Sequence, residues 1–235
     1  EECVKYVNGR VPVIAGTGSN CTKSAINMSK YAESVGVDGL LIVTPYYNKT
    51  TQKGLVNHYC KIASSVNIPI ILYNVPSRTG CDIKPTTVKE IVTSCENVVG
   101  IKEASGSITR VAELKELLGD RISIYSGNDD QIIPILSLGG VGVISVVANI
   151  LPKETHDMVI NYLNGNIDLS KVEQIKMLKL IKALFSEVNP IPVKKALEEM
   201  CMINGVLREP LIEMEEEHAK VLVNEMKKYG IKKSN

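Results

Sequence analysis

Val98-Val99-Gly100-Ile101-Lys102-Glu103-Ala104-Ser105-Gly106 is a short apolar run that follows a polar segment and closes with a turn signal. Its pattern predicts a strand of a parallel sheet, buried on both faces and ending at a loop. Lys102 then falls at the carboxyl end of that strand, facing a low-dielectric pocket. Desolvation there disfavours the ammonium, and a lysine without its proton is a nucleophile towards carbonyls. Taken alone, the stretch favours a plainer reading, a strand-end lysine whose ammonium snorkels into water. The rest of the chain decides between them.

The strand signature recurs at Val11–Ala15, Gly39–Val43, Pro69–Tyr73, Ile122–Ser126 and Val141–Val147. Helical patterns lie between, at Lys23–Val35, Thr51–Val66, Pro85–Ser94, Ser107–Leu118 and Asp130–Leu138. Alternation of this kind builds βαβ units and parallel pairing. Six such units suit either an open doubly wound sheet or most of a (β/α)8 TIM barrel. The polar residues favour the barrel. Gly16-Thr17-Gly18-Ser19-Asn20, Thr44-Pro45-Tyr46-Tyr47-Asn48, Tyr73-Asn74-Val75-Pro76-Ser77-Arg78-Thr79-Gly80, Lys102 and Ser126-Gly127-Asn128-Asp129 all sit at carboxyl ends of predicted strands. A barrel gathers those ends around one centre, whereas an open sheet spreads them along an edge.

Beyond residue 150 the pattern is helical only: Lys153–Gly165, Leu169–Val188, Ile191–Ile203 and Pro210–Tyr229. The predicted organisation is a partial TIM-barrel catalytic domain over 1–152. C-terminal helices follow over 153–235, the last barrel helix and a helical appendage. Glu1 to Val7 reads as the tail of a helix already under way, and no initiator methionine opens the chain. The expectation is therefore that an N-terminal piece is absent.

Composition narrows the function classes. With 235 residues, 44% of them apolar, a large core is possible. Lysine and arginine number 27 against 26 acidic residues, so no global field invites nucleic acid or an anionic membrane. No apolar run approaches the ~20 residues of a membrane span. The six cysteines (Cys3, Cys21, Cys60, Cys81, Cys95, Cys201) form no C-x-x-C pair, and the three histidines form no H-E-x-x-H. A zinc site is not expected, and the chain reads as a reduced, cytoplasmic protein.

Singly, the motifs are ambiguous. Gly16-Thr17-Gly18 begins like a dinucleotide fingerprint, but Cys21 stands where the third glycine belongs, and no acidic residue follows at the right place. Gly139-Gly140-x-Gly142 precedes its strand and reads as tight-turn packing. Tyr46-Tyr47 reads as an exposed loop pair or an interface anchor. Arg78 is either a solvated loop residue or a clamp for a carboxylate. Tyr73 is either a capped core tyrosine or a proton carrier beside the lysine.

Together they are more specific. Gly-Thr-Gly-Ser-Asn at 16–20, Thr-Pro-Tyr-Tyr-Asn at 44–48, Tyr-Asn-Val-Pro-Ser-Arg-Thr-Gly at 73–80 and Gly-Ile-Lys-Glu-Ala at 100–104 resemble the dihydrodipicolinate synthase and N-acetylneuraminate lyase family of class I aldolase-like enzymes. Ser-Gly-Asn-Asp at 126–129, Gly-Val-Ile-Ser-Val at 142–146 and Asn-Pro-Ile-Pro-Val-Lys at 189–194 extend the resemblance across essentially the whole chain. It implies that Lys102 is the Schiff-base lysine and Tyr73 the tyrosine that relays protons beside it. Tyr47 matches a tyrosine that reaches into a neighbouring subunit's site, and Arg78 the arginine that receives the aldehyde's carboxylate. Gly127 and Ile144 match backbone positions lining the pyruvate pocket.

The implied reaction is condensation of pyruvate with L-aspartate 4-semialdehyde to 4-hydroxy-tetrahydrodipicolinate, in lysine and diaminopimelate biosynthesis. It needs no cofactor beyond the covalent imine on Lys102. The implied assembly is a homotetramer, a dimer of dimers. Asn20 and Tyr46 match a regulatory lysine site, but Ser24 stands where that site has a glutamate, so weak or absent feedback is expected. The alternatives are another pyruvate-dependent class I aldolase, such as N-acetylneuraminate lyase or a keto-deoxy-sugar aldolase, or a non-catalytic truncated fragment. The family also carries two strands and a Gly-Thr-Thr-Gly-Glu loop ahead of the position of Glu1. Six strands cannot close an eight-stranded barrel, so a gap is expected between the first and last strands here.

Overall fold

Six strands run in chain order, β1 (Ile14–Gly16), β2 (Gly39–Val43), β3 (Ile70–Asn74), β4 (Val98–Glu103), β5 (Ser123–Ser126) and β6 (Gly142–Val143), each beside the next. β1 through β5 pair in parallel. A doubly wound sheet reverses its strand order at a switch point, and this order never reverses. The winding is that of a TIM barrel, with six of its strands in this chain. β1 and β6 are the ends of the order and do not pair with each other, as the strand count predicts. The computed structural model describes residues 1–232.

The chain divides into two compact units, Glu1–Gly127 with Ser137–Gly142, and Asn128–Leu136 with Val143–Asn235. In the first, helices α1 (Glu2–Val7), α2 (Thr22–Ser34), α3 (Gln52–Ala63), α4 (Pro76–Thr79), α5 (Pro85–Ser94) and α6 (Ile108–Leu118) alternate with the strands. Leu40, Ile42, Ile70, Leu72, Ile101 and Ile124 are fully buried on the sheet's helix-covered face. Leu55, Tyr59 and Ile62 of α3, Val88 and Ile91 of α5 and Val111, Leu114 and Leu118 of α6 are buried as well, at the i, i+3/i+4 spacing of core-facing helices. Tyr59 hydroxyl donates to the Ile42 carbonyl at 3.2 Å, so a buried phenol keeps a partner.

The second unit holds α7 (Ile132–Ser137, all but its last residue), α8 (Pro152–Leu163), α9 (Ile167–Leu184), α10 (Ile191–Glu199) and α11 (Glu216–Tyr229). Its core gathers Val147, Met158, Met177, Leu184, Ala196 and Leu222. Among the described residues no helix is long and apolar enough to cross a membrane.

Several boundaries depart from the sequence expectation: the helices predicted to run to Val188 and Ile203 end at Leu184 and Glu199, and three further departures have a visible cause. The strand predicted over Val11–Ala15 is displaced to Ile14–Gly16. Pro12 has no N–H to give a ladder, and Val13 N–H goes to Asp38 Oδ2 at 2.7 Å instead. The strand predicted over Val141–Val147 is only Gly142–Val143, because Asp129 Oδ2 accepts from both Val146 N–H and Val147 N–H at 3.0 Å. The helix predicted from Pro210 starts at Glu216, where Glu187 Oε1 accepts Glu215 N–H at 3.0 Å. The turn α4 has no counterpart among the predicted helices.

Candidate active site

Residues paired across a parallel ladder share a face. The register Val43↔Tyr73, Tyr73↔Lys102 and Lys102↔Tyr125 therefore sets these four side chains in one row near the carboxyl ends of β2 to β5. All four are half-buried. Their sequence neighbours Ile42, Leu72, Ile101 and Ile124 face the helix layer and have no exposure. The alternation that buries the core thus turns Lys102 towards the other face.

Lys102 Nζ lies 4.3 Å from the centroid of the Tyr73 ring. Burial pushes the Tyr73 phenol above its ordinary value, and the nearby Arg78 guanidinium partly opposes that. A phenol so held keeps its proton at neutral pH and can give it to a neighbouring group.

Beneath this pair lies a second, on the covered face. Asn74 and Glu103 are the next ladder partners, with exposures of 0% and 2%. Asn74 Nδ2 donates to Glu103 Oε2 at 3.1 Å and to Asp82 Oδ1 at 3.0 Å. Ser105 N–H donates to Glu103 Oε1 at 2.6 Å, and Ile83 N–H to Asn74 Oδ1 at 3.2 Å. Arg110 closes the group by an ion pair to Asp82 at 2.7 Å. Burial pushes the Glu103 carboxyl above its usual range, against hydrogen bonds from Ser105 and Asn74 and the charge of Arg110, which lower it. The network ties the last residues of β3 and β4 together where Tyr73 and Lys102 must meet. Sequence reasoning singled out neither residue. The available signal was an acidic group whose strand parity places it under helices.

Arg78 is exposed on α4, whose first residue is Pro76. Thr44, fully buried after β2, donates to Thr79 Oγ1 and the Cys81 carbonyl, both at 3.1 Å, and so anchors the turn that carries Arg78. A recess of about 370 Å³ opens between Gly16, Gly18, Val43, Tyr46, Tyr73 and Arg78. Gly18 is required there, since a Cβ would stand 2.6 Å from Val43 N.

The remaining predicted residues are more dispersed. Tyr47 is 91% exposed, does not wall the recess, and holds φ 67°, a left-handed backbone that costs a bulky residue about 1–3 kcal/mol. Asn20 is half-buried, and its carbonyl accepts from Asn48 Nδ2 at 3.1 Å, which joins the loops after β1 and β2. Gly127 donates its N–H to the Glu103 carbonyl at 2.7 Å, where a Cβ would meet Ala104 Cβ at 2.5 Å. Ile144 belongs to the second unit, half-buried and two residues before the backbone held by Asp129. Among the described residues no three His, Cys, Asp or Glu side chains converge as a metal-holding group.

The profile of the Dihydrodipicolinate synthetase family matches residues 1–229. The chain is 55% identical over 234 residues to the 4-hydroxy-tetrahydrodipicolinate synthase of Lachnoclostridium phytofermentans, covering 98% of this chain and 80% of that one. A crystal structure of a dihydrodipicolinate synthase, 51% identical, superposes with a TM-score of 0.94 over 97% of this chain and 78% of its own. The chloride-inhibited dihydrodipicolinate synthase of Acinetobacter baumannii, solved with pyruvate, is 42% identical with a TM-score of 0.95, covering 98% of this chain and 79% of that one.

Proposed function

Because the chain belongs to the dihydrodipicolinate synthetase family, we propose that Lys102 is the nucleophile of its reaction. That reaction is the Schiff-base-forming condensation of pyruvate with L-aspartate 4-semialdehyde to 4-hydroxy-tetrahydrodipicolinate, in lysine biosynthesis, and the enzyme is a class I aldolase-like lyase. The amine of Lys102 adds to the keto carbon of pyruvate, and water leaves to form an imine. The imine draws electrons from the methyl carbon, which loses a proton to give an enamine. The enamine carbon attacks the aldehyde. The amine of the adduct then displaces Lys102 and closes the ring. The imine is the electron sink, so the chemistry calls for no metal or organic cofactor.

The proximity of Lys102 Nζ to the Tyr73 ring carries this reading. Tyr73 passes protons to and from the intermediates as general acid and base. Arg78, at the rim of the recess, receives the carboxylate of the aldehyde substrate through parallel hydrogen bonds. Gly127 offers its backbone to the pyruvate pocket. Tyr47, exposed and held in a strained backbone, serves the site of a second copy in a dimer, two of which form a tetramer.

Treatment of the protein with pyruvate and borohydride tests the assignment. One reduced pyruvate per chain, mapped to Lys102 and absent from Lys102→Arg, is the expected result, because arginine stays protonated. Labelling at another lysine, or none, overturns it.

A further inference from the structure

Two sulfurs meet at the other end of the sheet. Cys60 lies in the last turn of α3 and Cys95 caps the carboxyl end of α5, so each precedes a strand whose far end holds Tyr73 or Lys102. Lys102 lies four residues beyond Val98 along β4, about 13 Å of extended chain. Cys95 Sγ donates to Cys60 Sγ across 3.0 Å. Asn97 Nδ2 donates to the Ala63 carbonyl at 3.0 Å and the Val66 carbonyl at 3.1 Å, which clamps the two cysteine-bearing turns together. Cys95 is buried and Cys60 half-buried, and both line an open recess with Ser64, Asn67 and Ser94.

We propose that Cys60 and Cys95 are a modification site that closes to a reversible disulfide on exposure to hydroperoxides. A disulfide holds its sulfurs at about 2.05 Å, so closure needs the two to approach by about 1 Å. Burial, and then the adjacent Cys60 sulfur, push the Cys95 thiol up to about 12. Cys95 therefore keeps its proton, and Cys60, which faces the recess, attacks. Its thiolate takes the outer oxygen of the hydroperoxide and becomes a sulfenic acid, and the O–O bond breaks to leave an alkoxide or hydroxide. Cys95 then attacks the Cys60 sulfur and expels hydroxide. The two thiol protons end on the two oxygen leaving groups. Two thiols are oxidised by two electrons, and the hydroperoxide is reduced to an alcohol, or water, plus water. The bond spans a separation of 35 residues that includes β3 and the turn bearing Arg78, so it braces the frame of the site without touching the pocket.

The test treats the whole protein with dilute hydrogen peroxide, caps the free thiols, and maps peptides by mass. The expected product is a Cys60–Cys95 linked peptide pair, lighter by two hydrogen atoms and restored by dithiothreitol, formed while exposed Cys3, Cys21 and Cys201 still accept the cap. The oxidised protein should melt a few degrees higher, in the range of an ordinary loop-closing disulfide. Cys60→Ser and Cys95→Ser should each lose the link and the shift while pyruvate trapping at Lys102 persists. If either variant fails to fold, the linked peptide in the unaltered protein decides. A sulfinic Cys60 beside a free Cys95, no link at all, or a bond between any other pair overturns the proposal.

Discussion

Glu103→Gln tests whether the pairing of Tyr73 with Lys102 is held from beneath. The carboxylate accepts Ser105 N–H at 2.6 Å and Asn74 Nδ2 at 3.1 Å, and the residue is 2% exposed. Glutamine keeps one acceptor oxygen and replaces the other with NH₂, so one of the two donors then faces a donor. A buried donor left without a partner costs about 1–3 kcal/mol. Removing a buried carboxyl offsets part of that, and the expected net loss is about 1–2 kcal/mol at pH 7. With a slope near ~2 kcal/mol per molar, the urea midpoint falls by about 0.5–1 M.

The pH dependence supplies a sign. Burial raises the folded-state pKa of Glu103 above its usual 4.5. The folded chain therefore holds this proton more tightly than the unfolded chain. Its contribution is full below 4.5 and is lost as pH rises through the folded value. Glutamine does not titrate, so the gap between the two proteins narrows with rising pH. Urea titrations from pH 4 to pH 8, run beside pyruvate trapping at Lys102, check both parts. A gap that widens with pH refutes the sign. Unchanged stability together with unchanged trapping refutes the claim that this network holds the register.

Arg78→Lys should raise KM for L-aspartate 4-semialdehyde by about 10–100-fold, the loss of a charge-assisted bidentate contact, while pyruvate trapping is unchanged; equal loss of both steps counts against the assignment. His58 is 4% exposed, and burial lowers its pKa from 6.5 to about 4. Its stabilising contribution is present above pH 6.5 and is lost as pH falls through about 4, so His58→Gln should flatten the acid limb of the stability curve; urea midpoints with an unaltered slope contradict this. Ser24 is exposed and offers no carboxylate near Asn20, so inhibition by free lysine should be weak; a tight, saturable inhibition curve refutes that.

How much of this was legible in the sequence follows from the range of the forces involved. Strands β2 to β5 and helices α5 and α6 stand within a residue or two of their predicted bounds, because apolar periodicity and a proline at the helix start are local signals. The choice of barrel over open sheet also came from the chain itself, through polar groups repeated at strand ends. Sequence therefore settled the winding and pointed to Lys102, Tyr73 and Arg78.

What it did not contain was partnership at a distance. β1 and β6 are cut short because Asp38 and Asp129 capture backbone N–H groups from 25 and 17 residues away. The Asn74–Glu103 pair becomes visible only once β3 and β4 are in register, since hydrogen bonds between residues 29 apart leave no period in the chain. Cys60 and Cys95, 35 residues apart and outside any spacing motif, meet because α3 and α5 pack side by side and Asn97 joins the turns after them. Local chemistry writes the elements, and burial decides which polar groups must find one another across them.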